Sequence, residues 1–193
     1  MKLQDIKTLI TGGAKGIGKA IAAAYLREGA SVVICGRNEV NLKAACNELG
    51  KLGSIDYIVA DIADMDDVKR LADTIRDKWG SLDVLVNNAS ILGERKPVSE
   101  YPEDVWVEVI RINLNAQFFV TKALLPLFMK SKSASIINVS SSVGRRGKKE
   151  WGAYAASKFG LEALTQVLAD ELGETGFRKS RRHSYGHEGR RIP

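Results

Sequence analysis

Tyr154 and Lys158 are two side chains whose types and spacing suggest acid–base chemistry. Residues four apart lie on one face of a helix, so a helix here would bring the amine close to the phenol. The pKa of a free tyrosine is about 10, which is too high for efficient proton transfer near neutral pH. A neighbouring positive charge favours the phenolate and would lower that pKa. The pair could therefore give a proton to an oxygen that gains negative charge. Such a pair is commonplace, and the alternative is a tyrosine that covers the start of a helix beside an exposed lysine.

A glycine-rich segment near the start of the chain could bind the phosphates of a nucleotide. Gly12, Gly16 and Gly18 belong to the sequence TGGAKGIG, between an apolar run and an amphipathic stretch. Glycine allows a tight turn and a close approach of backbone to phosphate, and a helix beginning there offers free N–H groups. The spacing G-x-x-x-G-x-G differs from the common G-x-G-x-x-G. A turn without a ligand is the alternative, but the strand before it and the helix after it favour a dinucleotide site.

The end of the second predicted strand suggests which dinucleotide binds. Folds that select NAD usually place Asp or Glu there, on the ribose 2′-hydroxyl. Here the strand ends in Cys35-Gly36-Arg37, and Lys15 lies in the glycine-rich segment, so two cations could meet a 2′-phosphate. The sequence therefore predicts NADP(H) in preference to NAD, with solvated surface cations as the alternative. Asp61 could accept a hydrogen bond from the adenine amino group, or could be an acid near a helix N-terminus.

The elements that would position these groups alternate along the chain. Continuous apolar strands alternating with amphipathic helices indicate a parallel sheet covered on both faces, a doubly wound three-layer α/β fold with strand order 3-2-1-4-5. Pro126 is expected to bend or end the fourth helix. The predicted strands are 7–11, 31–35, 54–59, 84–87 and 135–140, and the predicted helices are 17–27, 39–52, 65–79, 102–130 and 152–173.

One polar residue, Asn113, interrupts the apolar stripe of the fourth predicted helix. A polar side chain on an apolar face is costly unless it is hydrogen-bonded. Asn113 could be a core residue satisfied by backbone groups, or a positioned functional group. The other members of the stripe are Trp106, Val109, Ile110, Ala116, Val120, Leu124 and Leu127.

These motifs together resemble the short-chain dehydrogenases/reductases, a Rossmann-like family, over residues 1 to about 177. Ser141 is preferred over Ser140 and Ser142 because it lies thirteen residues before Tyr154 and three before Gly144, as in the family. The resemblance rests on five elements in the family's order: the glycine-rich segment, Asn87-Asn88-Ala89, Asn113, Ser141, and Tyr154 with Lys158.

The resemblance implies a role for each of these residues. Tyr154 would be the acid–base, and Lys158 would activate it and hold the nicotinamide ribose. Ser141 would hydrogen-bond the substrate oxygen, and Asn113 would support a water and the lysine in a proton relay. Where the family usually has Gly, this chain has Ser90, which could crowd the cofactor. The expected cofactor-binding residues are Gly12, Lys15, Gly16, Ile17, Gly18, Arg37, Asp61, Asn88, Ala89, Tyr154 and Lys158.

Composition limits the class of protein. The 193 residues, 45% of them hydrophobic, suit one globular domain. The longest apolar run, residues 20–26, is far shorter than the roughly 20 residues that cross a bilayer. With no signal peptide, a cytoplasmic location is expected. The two cysteines, Cys35 and Cys46, are expected to be reduced packing residues, and no metal site is expected.

The end of the sequence departs from the family. Residues 178–193 contain six basic residues and one acid, which supply most of the net charge of +6. This segment lacks the apolar pattern of the family's sixth and seventh strands and its Pro-Gly turn. It is interpreted as a basic, disordered tail that follows a dinucleotide-binding domain of residues 1–177, in a chain truncated or altered after about residue 178.

The leading hypothesis is an NADP(H)-dependent oxidoreductase that interconverts a carbonyl and a secondary alcohol on a small molecule. The alternative is a truncated nucleotide-binding protein with little or no turnover, acting by association. Specific nucleic-acid binding through the tail is disfavoured because no aromatic platform or recognition motif accompanies the charge. By resemblance, the protein would form a homo-oligomer, such as a dimer, through the helices predicted at 102–130 and 152–173.

Overall fold

Apolar, largely β-branched segments form one parallel sheet in the computed structural model, which describes residues 1–173. The strands are β1 (Lys7–Thr11), β2 (Ser31–Gly36), β3 (Ile55–Val59), β4 (Val84–Asn87) and β5 (Ser135–Asn138). The described strands pair in the order β3-β2-β1-β4-β5, which confirms the predicted doubly wound sheet. In the register, Leu9 of β1 lies beside Val33 of β2 on one side and Leu85 of β4 on the other.

Helices cover both faces of this sheet. On one face Ile10 and Ile34 pack against apolar residues of the first two helices. On the other face Leu9 and Leu85 pack against the third and fifth helices. The helices are α1 (Gly16–Arg27), α2 (Glu39–Leu49), α3 (Met65–Trp79), α4 (Glu103–Ile110), α5 (Ala116–Phe128) and α6 (Gly152–Gly173).

The helix ends follow local chemistry. The side chain of Asn38 accepts a hydrogen bond from Asn41 N at the start of α2, and that of Asp64 accepts two at the start of α3. Helix α3 ends at Gly80, which adopts a left-handed conformation with φ of 69° that suits glycine. Three short 3₁₀ turns occupy Gly50–Leu52, Val98–Glu100 and Ser142–Gly144.

The helix predicted at 102–130 is interrupted. A π-helical segment, Arg111–Asn115, separates α4 from α5, and Ala116 N donates to Arg111 O across five residues. The side chain of Gln117 donates to Ile112 O at 3.1 Å and so satisfies a carbonyl inside this wider turn. Pro126 lies in the last turn of α5, which ends two residues later. The periodic stripe does not reveal the extra residue of the turn, so the sequence predicted one continuous helix.

Smaller corrections concern element ends. The predicted helix 39–52 ends as α2 at Leu49 and continues as a 3₁₀ turn, and β5 ends at Asn138 rather than at residue 140. The expectations for the basic tail at 178–193 fall outside the described residues. In the described part, no helix combines the length and the apolar character needed to cross a bilayer.

Candidate active site at the carboxyl edge of the sheet

The predicted site residues gather where the parallel strands end, at the crevice between β1 and β4. This is the point of an open α/β sheet where the order of strands reverses, and ligands bind there in such folds. Thr11 ends β1 and Asn87 ends β4. The crevice opens into a cleft of about 430 Å³. Its lining includes seven of the predicted cofactor residues: Gly12, Lys15, Ile17, Arg37, Asp61, Asn88 and Ala89.

The glycines of the loop between β1 and α1 have different structural roles. Gly12 and Gly16 have φ of 64° and 55°, a region that disfavours other residues. A Cβ on Gly16 would meet nothing within 4 Å, so the loop is open to a ligand there. A Cβ on Gly18 would lie 2.4 Å from Gly12 O and 2.5 Å from Asn88 Nδ2. Gly18 therefore lets α1 pack beneath the loop, whereas Gly16 leaves space outside it.

The loop after β4 is held against β1 by hydrogen bonds. Thr11 Oγ1 accepts from the backbone N–H groups of Asn88 and Ala89, both at 3.0 Å. Asn88 Nδ2 donates to Thr11 O at 2.9 Å and to Gly12 O at 3.2 Å. The amide of Asn88 thus positions the glycine loop, and its donors are used in doing so.

The cleft fits the phosphate-bearing part of a dinucleotide. Helix α1 begins beside this cleft. The first turn of the helix has no acidic residue and Lys15 provides no side-chain cap, so the first N–H groups of α1 are available to an anion. Ile17 presents an apolar side chain that is 63% exposed. Arg37 is 61% exposed, and its Nη1 lies 3.9 Å from Asp61 Oδ2. Two cations and one acid therefore stand where the sequence predicts the adenosine half of the cofactor.

Tyr154 lies in the first turn of α6, where its phenol meets two hydroxyl groups. The side chains of Ser141 and Ser90 both interact with this phenol. Ser90 also lines the cleft, so the phenol stands at one end of it. Ser140 Oγ, by contrast, is buried without a hydrogen-bond partner in the described part of the chain. Of the three candidate serines, Ser141 is thus the one placed against the phenol.

Burial governs the ionisation of both members of the Tyr154–Lys158 pair. Burial raises the pKa of Tyr154, and the contacts with Ser90 and Ser141 partly oppose that rise. Burial also lowers the pKa of Lys158 to about 8. The ammonium lies 5.6 Å from the centre of the tyrosine ring and donates to Val139 O at 2.8 Å. The predicted lowering of the tyrosine pKa by Lys158 is therefore not found in this structure, because the ammonium binds a carbonyl instead of the phenol.

Asn113 is fully buried, and its side chain binds backbone groups. Its Oδ1 accepts from Ile91 N and its Nδ2 donates to Ile91 O, both at 2.8 Å. The same Nδ2 donates to Ser157 Oγ at 3.2 Å. These contacts match the reading of a core residue satisfied by backbone, and they tie the loop after β4 to the π-helical segment. A water-mediated link from Asn113 to Lys158 stays a prediction.

Sequence reasoning missed three residues that shape the site. Thr11 and Gln117 hold the backbone of Ala89, since Gln117 Nε2 donates to Ala89 O at 2.8 Å. The third is Ser90, whose hydroxyl acts on the phenol; that its side chain could crowd the cofactor stays a prediction. The buried polar residue at the end of β1 was an available signal for Thr11, because such a group needs a partner. Ser90 could be placed only once the fold had closed.

Cys35 belongs to the lining of the cleft but is a poor candidate for a nucleophile. Cys35 is buried below the glycine loop, and burial raises its pKa to about 12. A thiol with such a pKa is a poor nucleophile at neutral pH. Across residues 1–173, no group of three or more His, Cys, Asp and Glu residues is arranged to hold a metal ion.

Comparison with known proteins identifies the family that shares these features. A family model described as short chain dehydrogenase matches residues 7–180. The uncharacterized oxidoreductase YciK of Escherichia coli K12 is 41% identical over 173 residues, which are 88% of this chain and 69% of YciK. A 3beta-hydroxysteroid dehydrogenase of Mediterraneibacter gnavus is 41% identical over 171 residues, which are 87% of this chain and 61% of that enzyme.

A solved structure extends the likeness to three dimensions. A short chain dehydrogenase from Shigella flexneri 2a, complexed with NADP, superimposes with a TM-score of 0.86 at 39% identity. The superposition covers 92% of this chain and 76% of that one. The likeness therefore includes both the fold and a substantial share of the sequence.

Proposed function

This chain belongs to the short chain dehydrogenase family, and on that premise we propose that it is an NADP(H)-dependent oxidoreductase interconverting a carbonyl and a secondary alcohol. The observation that carries the proposal is the placement of the Tyr154 phenol beside Ser141 at one end of the cleft, with buried Lys158 on the next turn of α6. A dinucleotide bound in the cleft would supply or accept the hydride.

The residues around the phenol would handle the proton. In reduction, Tyr154 donates a proton to the carbonyl oxygen, and Ser141 hydrogen-bonds that oxygen as it gains charge. Burial raises the pKa of Tyr154 and so keeps the phenol protonated at neutral pH, the form that can donate in this direction. Lys158, with a pKa near 8, is mostly charged at pH 7 and holds the end of β5 through Val139 O. When NADP(H) is bound, its ribose would be the neighbour of this ammonium.

The proposal is tested by turnover on simple substrates. The chain should reduce generic ketones or diketones with NADPH, and its binding of NADPH should be visible by nucleotide fluorescence. Binding without reduction of any such ketone would instead support a nucleotide-binding protein that acts by association. Unchanged DNA and RNA affinity after removal of residues 179–193 would exclude nucleic-acid binding through the tail.

Replacement of Arg37 by aspartate should reverse part of the cofactor preference. Arg37 is exposed in the lining of the cleft, and its ion pair with Asp61 is long, at 3.9 Å, so it can turn to a 2′-phosphate. Losing a charge-assisted contact and adding repulsion should weaken NADPH relative to NADH by about tenfold or more. The measurement is the ratio of the two dissociation constants. Arg27→Asp, on the exposed far end of α1, is the matched control, and an unchanged ratio in Arg37→Asp would contradict the preference for NADP.

Replacement of Ser90 by alanine tests whether its hydroxyl acts on Tyr154. The contact lowers the pKa of the phenol, so its loss should raise that pKa. Alcohol oxidation, which needs the phenolate, should slow by roughly 2- to 10-fold near neutral pH, as expected for one hydrogen bond. Its pH profile should shift to higher pH. Ser142→Ala, at the exposed first position of the nearby 3₁₀ turn, is the control. An unshifted profile in Ser90→Ala would exclude this role.

Association and location are further parts of the proposal. Exposed apolar side chains on α4, α5 and α6 support a homo-oligomer formed through these helices, as predicted for the family: Val107, Phe118, Phe159 and Val167. The cytoplasmic location stays a prediction from the sequence.

A further inference from the structure

Two exposed loops beside Tyr154 carry a local excess of positive charge. We call residues 93–97 and 145–150 together the cationic rim. The rim contains two acids, Glu94 and Glu150, whereas the rest of residues 1–173 has 17 basic against 19 acidic residues. The excess is therefore concentrated at this place. The six cations of the rim are Arg95, Lys96, Arg145, Arg146, Lys148 and Lys149.

The two loops converge on one aromatic ring next to the phenol. The guanidinium of Arg95 lies 5.1 Å from the centre of the Trp151 ring, and the ammonium of Lys148 lies 5.7 Å from it. The ring centres of Trp151 and Tyr154 are 5.8 Å apart in an edge-to-face arrangement. The Trp151 ring therefore lies between the Tyr154 ring and two cations from different loops, with each of these distances below 6 Å.

The charges of the rim are only partly compensated. Glu150 is shared by Arg95 and Lys149, each at 3.9 Å, which is too long for a hydrogen-bonded pair. Arg146 and Lys148 take part in none of the ion pairs of the rim in residues 1–173. The other two cations of the rim each have one acidic partner. Exposed ion pairs of this kind contribute at most about 1 kcal/mol, so a ligand can displace them.

The rim is separate from the cofactor cleft. No residue of the rim belongs to the lining of the cleft at the glycine loop. Phosphates of a dinucleotide bound there would lie at α1, on the other side of the phenol. The positive charge of the rim is therefore left for the other reactant.

We propose that the cationic rim binds an anionic group of the substrate, a carboxylate or phosphate separated from the reacting carbonyl by a chain that lies on Trp151. This proposal rests on the proposed oxidoreductase function and adds the substrate class to it. The Trp151 ring would cover the apolar chain, while Arg95, Arg146 and Lys148 would attract the charge. A patch of one sign also raises the rate at which oppositely charged ligands arrive, and salt screens this effect.

The test compares substrates that differ only in charge. Methyl-ketone carboxylic acids of increasing chain length, the corresponding phosphate esters and the neutral methyl esters are reduced with NADPH at low and high salt. We expect kcat/KM to be higher for the anionic ketone than for the neutral methyl ester of the same chain length. The ratio of the two values should fall as the salt concentration rises. Whether the carboxylate or the phosphate series is preferred distinguishes the two sources of charge. The preferred chain length reports the distance between the rim and the phenol.

Charge reversal locates the effect. The double variant Arg146→Glu/Lys148→Glu should lose the preference for the anion by about tenfold while its rate on the neutral ester is unchanged. Lys130→Glu/Lys132→Glu is the matched control. It reverses two exposed charges that precede β5, at the amino end of the strand, whereas the rim follows the carboxyl end. Equal rates on acid and ester in the unmodified protein, or the same loss in both double variants, would overturn the proposal.

A second readout does not need turnover. A keto acid or phosphate ester that occupies the rim should change tryptophan fluorescence in a saturable way, and this change should vanish in Trp151→Phe. The neutral ester should not produce it. If no ketone is reduced but this binding is seen, the oxidoreductase function fails while the anion site stands. If the anion gives no saturable change, or the ester gives the same one, the anion site is excluded.

Discussion

Replacing Tyr154 with phenylalanine is expected to lower kcat for ketone reduction at least 100-fold and to leave the Kd for NADPH within about threefold. The substitution removes the phenolic O–H and keeps the ring that contacts Trp151 and lies near Lys158. A positioned general acid contributes about 10²- to 10⁴-fold to the rate. The loss should therefore fall on chemistry rather than on binding.

Tyr57→Phe is the matched control for this experiment. Its hydroxyl donates to Glu39 at the start of α2, and β3 lies at the opposite edge of the sheet from β5, so kcat should not change. Steady-state kinetics on a generic diketone, together with NADPH fluorescence titration, separates the two effects. Equal slow rates in the unmodified chain and in Tyr154→Phe would mean that Tyr154 is not the acid. They would also favour the alternative of a nucleotide-binding protein.

Replacing Lys158 with methionine is expected to remove a pH dependence of stability. Burial lowers the pKa of Lys158 from 10.5 to about 8 in the folded protein. Between these two values the unfolded chain binds a proton that the folded chain does not, so the free energy of unfolding rises with pH. Below pH 8 both states are charged, and the folded state bears the cost of the buried ammonium. The shift corresponds to about 3 kcal/mol.

The measurement is the difference in free energy of unfolding between the original protein and Lys158→Met, from urea titrations at several pH values. This difference should move by up to about 3 kcal/mol in favour of the original protein as pH rises from 8 to 10.5. Other titrating groups are shared by both proteins and cancel. Lys132→Met, at an exposed position before β5, should show no such movement. Parallel curves for Lys158→Met would show that the ammonium is not buried as described.

The sequence was sufficient for the features that depend on local patterns. The run Val32–Ile34 is apolar on both sides of the strand, so it predicts a buried parallel strand, and the helix predicted at 65–79 has the bounds of α3. The π-helical segment was beyond such reasoning because one extra residue per turn leaves the apolar stripe nearly intact. What reveals it is the backbone hydrogen bond from Ala116 N to Arg111 O.

The site residues divide in the same way. Tyr154 and Lys158 could be paired from their spacing alone, because a helix brings residues four apart together. The direction of the tyrosine pKa shift could not be obtained so, since it depends on burial and on where the lysine ammonium finds an acceptor. Ser90 was likewise out of reach, as its contact joins a loop after β4 to the start of α6. Contacts between distant parts of the chain carry this information.

The π-helical turn at Arg111–Asn115 also rotates the side chains of α5 about the helix axis relative to those of α4. An α-helix advances about 100° per residue, so the extra residue changes the azimuth of α5 relative to α4. With this offset, Asn113 and Gln117 both point at one loop and grip Ile91 and Ala89 on either side of Ser90. The π-helical turn therefore fixes the strip of backbone that carries Ser90 to the phenol.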